Sequence, residues 1–174
     1  MAGLVLVLVT GCSSASGSAA VFPDRPYSLD VAVVDPCSGL TDDQLEAMNL
    51  REGSAGTSHG GSSRGCTWPG DDGVGYSLQT FDSAASAALG AEPTSTVVTV
   101  AGFGAVQSSP PATATGLPFC QVVLDVADEA SLRAQLQVGP RGAERDRHTV
   151  DSTCARIREV AGLMLDNLRR RQAG

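Results

Sequence analysis

The stretch FCQVVLDVADEASLRAQLQV, residues 119–138, decides the fold. Its first half alternates, which places four side chains on one face of a strand: Cys120, Val122, Leu124 and Val126. Its second half alternates in the same way, with Leu132, Ala134, Leu136 and Val138 separated by Arg133, Gln135 and Gln137. Asp128, Glu129 and Ala130 connect the two halves. The stretch therefore predicts two strands of a sheet that has one buried and one wet face.

The C-terminal region predicts a helix that packs on this sheet. Apolar residues recur there at spacings of four and three and form one stripe: Val150, Cys154, Ile157, Ala161, Leu165 and Leu168. We expect this helix to run from about Asp151 to Arg170. The basic run Arg169–Arg171 complements the helix dipole at its carboxyl end, so it requires no anionic ligand.

Earlier in the chain, three more strands are predicted. Two of them, one centred on Cys66–Trp68 and one at Val74–Phe81, flank the turn Pro69–Gly73 and form a hairpin. The third is the β-branched segment Val97–Val100, after which Gly102–Gly104 is expected to form a turn or bulge.

Two shorter helices complete the prediction. Thr41 and Gln44 have the spacing of a capping box, so a helix is expected from Thr41 to about Leu50. An Ala-rich helix is expected between a cap at Asp82 or Ser83 and the closing Gly90. The Gly- and Ser-rich segment 51–64, which contains His59, shows no periodicity and is expected to be a mobile loop.

The element order α-β-β-α-β-β-β-α indicates the α+β class. We expect a mostly antiparallel five-stranded sheet, with the helices packed on one face and two disulfides. A chain of 174 residues suits one domain, which we place at residues 29–174.

The N-terminus resembles an export signal. Leu4–Val9 is an unbroken apolar run that is too short to span a bilayer, and Thr10, Gly11 and Cys12 follow it. This order is similar to the bacterial lipobox, in which the cysteine is lipidated and becomes the first residue of the mature chain. We expect a signal peptide at residues 1–11, truncated at its start because no Lys or Arg opens it, and a tether at residues 12–28. The alternative is a buried strand that ends in an ordinary cysteine.

The five cysteines are an odd number, and lipidation of Cys12 would account for the odd one. The remaining four allow three pairings by arithmetic alone. Cys120 lies on the buried face of a predicted strand and Cys154 on the buried stripe of the last helix, which favours a bridge between them. Cys37 and Cys66 then pair by elimination.

Composition and motifs argue against several functions. The net charge of -7 disfavours nucleic acid, whose binding depends on Lys and Arg. The chain has no Cys-x-x-Cys pair and no zinc spacing around its two histidines, so we expect no metal and no cofactor. Hydrolase and phosphate-loop motifs are also absent from the sequence, and Gly102-x-Gly104-x-x-Gln107 lacks the third glycine of a dinucleotide fingerprint.

Isolated residues remain as candidates for chemistry. His59 or His148 could act as a general base, and the adjacent pairs Asp42-Asp43 and Asp71-Asp72 could bind a cation, although such residues are common in loops and first helical turns. Trp68 and Phe103 are candidates for lining a ligand cleft, although the single Trp, two residues from a cysteine, also suits a core.

Several of these features together resemble the actinobacterial, including mycobacterial, cell-envelope lipoproteins built on a domain of unknown function. The matching residues are Asp35-Pro36-Cys37, Leu40-Thr41, Cys66-x-Trp68, Gly102-x-Gly104, Cys120 and Cys154, and the resemblance covers about Val34 to Leu168. It implies export, lipid anchoring and two disulfides, and it implies no established activity. The short signal and the Gly/Ser loop around His59 depart from the pattern.

The sequence thus favours a non-enzymatic lipoprotein on the outer face of a cell membrane, which binds an envelope ligand or a partner protein. The alternatives are a secreted hydrolase with an unrecognised site and a sensor-like ectodomain. An apolar cavity near Trp68 and Phe103 would favour binding, whereas a polar cleft that gathers His148 with carboxylates would favour catalysis.

Overall fold

The computed structural model describes residues 20–109, 116–145 and 148–174, without the side chains of His59 and Arg145. Cys12 and the predicted signal peptide lie outside the described residues. Within the described ranges, seven strands form one sheet: β1 (Ser54–Ser58), β2 (Ser63–Pro69), β3 (Val74–Phe81), β4 (Thr96–Val100), β5 (Phe103–Ser108), β6 (Phe119–Ala127) and β7 (Ala130–Val138). The strand order is β1-β2-β3-β7-β6-β5-β4, and every neighbouring pair is antiparallel.

Three α-helices accompany the sheet: α1 (Asp42–Ala47), α2 (Pro140–Arg145) and α3 (Val150–Ala173). The capping box of α1 is confirmed, because the Gln44 amide donates to the Thr41 hydroxyl and the Thr41 amide donates to Gln44 Oε1 at 3.0 Å. α1 ends at Ala47, before the predicted end at Leu50, and Asn49 then takes a positive φ of 52°.

The predicted five-stranded sheet with its helices packed on one face is wrong. β1 was missed because it lies at a sheet edge with nearly every side chain exposed, so burial imposes no alternation on its sequence SAGTS. β5 was missed because two glycines suggested a turn. Gly102 does lie in the turn, with a φ of 85°, whereas Gly104 lies inside the strand.

The predicted Ala-rich helix is also absent. Its place is taken by a single 3-10 turn, Ala85–Ala88, whose N-cap residue Ala84 makes no side-chain capping bond. A segment this short cannot offset the cost of helix nucleation by itself. The turn packs on β5 and β6 with Val106 and Val123, whereas α3 packs on the other face, so both faces of the sheet carry covering elements.

The main core lies between the sheet and α3. The alternating face of β6 and β7 is buried there against the predicted apolar stripe of the helix, including Ile157, Leu165 and Leu168 at 0–1% exposure. Val150, the first residue of that stripe, is the exception at 44% exposure, because it lies at the start of α3. Two disulfides staple this layer, Cys120–Cys154 and Cys37–Cys66. The face patterns favoured Cys120–Cys154, which joins α3 directly to β6, and Cys37–Cys66 is the pair that followed by elimination.

A strap formed by residues 22–29 passes around the sheet: Phe22 packs on the side of Val106 and Val123, and Leu29 belongs to the main core. Arg25 forms a bidentate pair with Asp125 at 2.8 and 2.9 Å, and the Tyr27 ring meets Phe103 edge-on with the centroids 4.8 Å apart. The Leu29 amide donates to the carbonyl of Val126. Within the described residues, these contacts pack the strap onto the domain from Phe22 onward.

Within the described ranges, none of the helices combines the length and apolar character that crossing a bilayer would require.

Candidate functional site

The side of the sheet opposite α3 is partly uncovered. The strap and the Ala85–Ala88 turn cover it over β5 and the end of β6, but β2, β3, β7 and the start of β6 stay accessible. We call this accessible area the open face, and its side chains are those of Thr67, Ser77, Gln79, Phe119, Gln121, Arg133, Gln135 and Gln137. Among the described residues of these strands, Arg133 is the one charged side chain on the open face.

A hydrogen-bonded ladder of side chains crosses four strands of this face. Ser77 Oγ donates to Gln135 Oε1, Gln135 Nε2 donates to Gln121 Oε1, and Gln121 Nε2 donates to Ser108 Oγ, each at 2.9 Å. Each glutamine therefore uses one N–H and one oxygen lone pair within the ladder. A second N–H and a second lone pair remain on each amide for a bound molecule.

Arg133 lies flat at one end of the open face. Its Nε donates to Gln79 Oε1 at 3.0 Å, and its guanidinium stacks 4.6 Å from the centre of the Phe81 ring. Burial lowers the pKa of Arg133. The one positive charge of the open face therefore lies at its end, beside a neutral amide and an aromatic ring, and the side chains at its centre, Ser77, Gln121 and Gln135, are uncharged.

A shallow depression of about 260 Å³ lies in the middle of the open face. Gln135 and Gln137 form one side of it, Thr67 and Ser77 form the other, and Phe119 contributes an aromatic wall. At its floor Gly75 carries no side chain, and a Cβ there would meet only ordinary contacts at 3.6 Å or more. The depression can therefore accommodate the edge of a small polar ring, which would contact amides, hydroxyls and one apolar surface.

A second, separate pocket of about 400 Å³ lies between the end of α1, the β2–β3 turn and the start of α3. It brings His148 together with Asp72, Tyr76 and Arg156. Arg156 Nε donates to the Tyr76 hydroxyl at 3.4 Å, and this bond raises the pKa of Arg156. Within the described part of the chain, no hydrogen bond joins the His148 ring to a carboxylate or a hydroxyl.

The other predicted site residues have structural positions. Trp68 and Phe103 are 1% and 0% exposed and belong to the main core, not to the wall of a cavity. Asp42 and Asp43 lie in the first turn of α1. Asp72 accepts the Val74 amide and Asp71 pairs with Arg51 at 3.3 Å, so these two carboxylates fix the β2–β3 turn. No cluster of three potential metal ligands occurs in residues 20–109, 116–145 and 148–174.

The alternation in β7 predicted its wet face but did not indicate a binding site there. Its signal was Gln at the alternate positions Gln135 and Gln137 of β7, together with Gln121 in β6, since exposed positions are more often filled by charged residues. Only the strand order places Gln121 and Gln135 side by side.

The fold and the open face define a class of protein: a mostly β domain with two disulfides, an antiparallel sheet, one long helix and one polar face whose centre is uncharged. The chain belongs to the family described as "Protein of unknown function (DUF3558)", whose model matches residues 7–167. This match confirms the expectation of a domain of unknown function. None of the curated proteins compared with the chain matches it significantly.

Among solved structures, the chain is similar to a protein from Bacteroides thetaiotaomicron VPI-5482 whose crystal structure was determined at 1.50 Å resolution. The identity is 12% and the TM-score 0.34, over 59% of this chain and 48% of that one. The match spans about half the length of that protein, and a likeness this weak carries no argument about fold or function.

Proposed function

We propose that the chain is a lipoprotein, anchored through Cys12 to the outer face of a cell membrane, whose open face binds a neutral, hydroxyl-rich component of the cell envelope. A glycan chain is the ligand class that fits. The pocket at His148 gathers a single carboxylate, Asp72, whose Oδ1 already accepts the Val74 amide, so the described residues support binding better than catalysis.

The hydrogen-bonded ladder is the observation that carries the binding proposal. A sugar hydroxyl both donates and accepts, and an amide side chain offers both functions in one planar group. The face holds two such amides in fixed positions, Gln121 and Gln135, beside the Phe119 ring. An apolar ring of this kind suits the C–H face of a sugar, whereas the absence of carboxylates among the described open-face residues disfavours a cation.

The use of the cysteines supports the location. Disulfides persist in oxidising compartments outside the cytosol, and two of them use Cys37, Cys66, Cys120 and Cys154. Cys12 is then available for acylation, directly after the apolar run Leu4–Val9. Acyl chains would supply membrane affinity at about 0.8 kcal/mol per buried methylene.

Binding can be tested with the mature protein labelled for NMR and titrated with uncharged glucan oligosaccharides. We expect the side-chain amide signals of Gln121 and Gln135 to shift on addition of the sugar. Gln135→Ala breaks the ladder at its centre and should weaken binding about tenfold, whereas the matched Gln172→Ala, on α3, should leave the affinity unchanged. Equal affinities in the two variants, or stronger binding of the anionic polygalacturonate, would contradict the proposal.

A hydrolase remains a second candidate because one pocket gathers His148, Asp72 and Tyr76. If this candidate is correct, the protein will cleave chromogenic esters or glycosides, and His148→Ala will abolish the turnover. Turnover that survives in His148→Ala would assign the activity to a contaminant or to another site.

A further inference from the structure

We infer that the covered half of the sheet face, next to the strap, rests on the lipid surface of the membrane. The residues that would touch the bilayer are Val21, Leu89 and Val97, which we call the membrane patch. This inference rests on the proposed lipid anchor at Cys12 and goes beyond it, because an anchor alone does not specify which surface faces the lipid.

The strap determines where the anchored chain joins the domain. Phe22 packs on a second apolar cluster formed by Ala85, Val106 and Val123. A Cβ on Gly104 would overlap the Phe22 side chain, so the ring lies directly on the strand backbone. Three residues later, the bidentate Arg25–Asp125 pair holds the strap in register. The chain therefore reaches the domain at one fixed point.

The distance from this point to the lipid is short. Ten residues along the chain separate Phe22 from Cys12. Even a fully extended chain spans at most about 3.3–3.6 Å per residue, or roughly 35 Å in total. The surface around Phe22 must stay within that distance of the membrane.

Exposed apolar side chains concentrate next to this point. Val21 directly precedes Phe22, Leu89 follows Ala88 of the second apolar cluster, and Val97 pairs with Val106 of that cluster on the same face. They are 51%, 36% and 48% exposed, and they make up half of the six large hydrophobic residues found exposed in the described part of the chain. Apolar side chains at a membrane interface gain free energy by entering the boundary between head groups and acyl chains.

The opposite side of the molecule is unsuited to lipid. The outer stripe of α3 is exposed and carries Arg156, Glu159, Asp166 and Arg170.

Near the strap, Asp24, Asp128 and Glu129 are exposed carboxylates, of which Asp128 pairs with Arg25 at 2.7 Å. These carboxylates favour a zwitterionic head-group layer over an anionic one, because anionic lipid head groups would repel the negatively charged side chains.

Membrane contact leaves the open face accessible. Four strand-to-strand steps separate β3 from β4, and a sheet twists by about 20–25° at each step, which gives roughly 80–100° in total. The open face on β2 and β3 therefore points sideways when β4 and β5 face the bilayer.

The test uses the full-length lipidated protein in phosphatidylcholine vesicles, with and without brominated acyl chains that quench Trp fluorescence on contact. Trp68 is 1% exposed and supplies a constant background. Val97→Trp places a reporter in the membrane patch, Leu89→Trp is a second reporter there, and Leu163→Trp is the matched control on α3, with a parent residue that is 41% exposed. We expect both patch reporters to be quenched at least about twofold more strongly than the control.

Intact mass and flotation of the vesicles separate the two claims. A protein that carries acyl chains and floats with the vesicles, but whose patch and control reporters are quenched alike, overturns this inference and leaves the anchor standing. A protein without acyl chains overturns the anchor and this inference together.

Discussion

Asp125 is a buried carboxylate that depends on a single side chain. It is 6% exposed, and both of its oxygens accept from Arg25. Arg25→Ala would leave this charge buried without its partner, so we expect the free energy of unfolding to fall by about 2–3 kcal/mol. Arg51→Ala is the matched control, because its pair with Asp71 is largely exposed and should cost less than about 1 kcal/mol. Urea denaturation measures both, and equal losses would show that Asp125 does not need the strap.

Gly53 is required by the packing of the Cys37–Cys66 disulfide. A Cβ at this position would lie 2.5 Å from both Cys66 Sγ and Trp68 Nε1, neither of which has room to retreat from the core. Gly53→Ala should therefore lower the thermal stability by about 1–3 kcal/mol. Gly56→Ala, three residues along, meets nothing within 4 Å and should be neutral or slightly stabilising. A calorimetric scan in which both variants behave alike would contradict this packing.

At the level of elements, the bridge Cys120–Cys154 connects α3 to the centre of the sheet. It closes a sequence separation of 34 residues, so its loss should cost about 3–4 kcal/mol through the entropy of the unfolded chain. We expect Cys120→Ala/Cys154→Ala to unfold at lower urea concentration and to expose the first turns of α3 to hydrogen exchange. The double variant Cys37→Ala/Cys66→Ala, with a separation of 29, should lose similar stability while α3 stays protected. Unchanged protection of α3 in the first variant would show that packing alone fixes the helix.

Elements with a periodic buried face were predictable from the sequence, whereas the exposed edge strand β1 and the strand β5, which is buried on both faces, were not. The alternation in β6 and β7 and the stripe of α3 follow from burial against each other, and so did the favoured disulfide pairing. Edge strand β1 carries no such pattern. The Ala-rich segment has the propensity of a helix, which the sequence therefore predicted, but its packing on the sheet holds it as a single 3-10 turn. The packing of the strap was not predicted, because Pro23 and Pro26 are typical of a linker, although Pro26 packs over Gly102.

For the whole molecule, the site was the least predictable feature. Trp68 and Phe103 were the aromatic candidates for a ligand cleft, and their bulk instead fills the core of a domain that has only 4% aromatic residues. The open face is assembled from separate strands, since Ser77 and Gln135 are 58 residues apart in the chain. The hydrogen-bonded ladder depends on which strands are neighbours in the sheet. The alternation within a single strand does not specify this order.

Lipid anchoring and the two disulfides together use all five cysteines, and intact-mass analysis of the mature protein tests this use directly. The protein should be expressed with an export signal and measured with and without reductant, followed by thiol alkylation. We predict acyl chains on Cys12 and four alkylated thiols that appear only after reduction. Free thiols at Cys37, Cys66, Cys120 and Cys154 before reduction, together with an unmodified Cys12, would contradict the account.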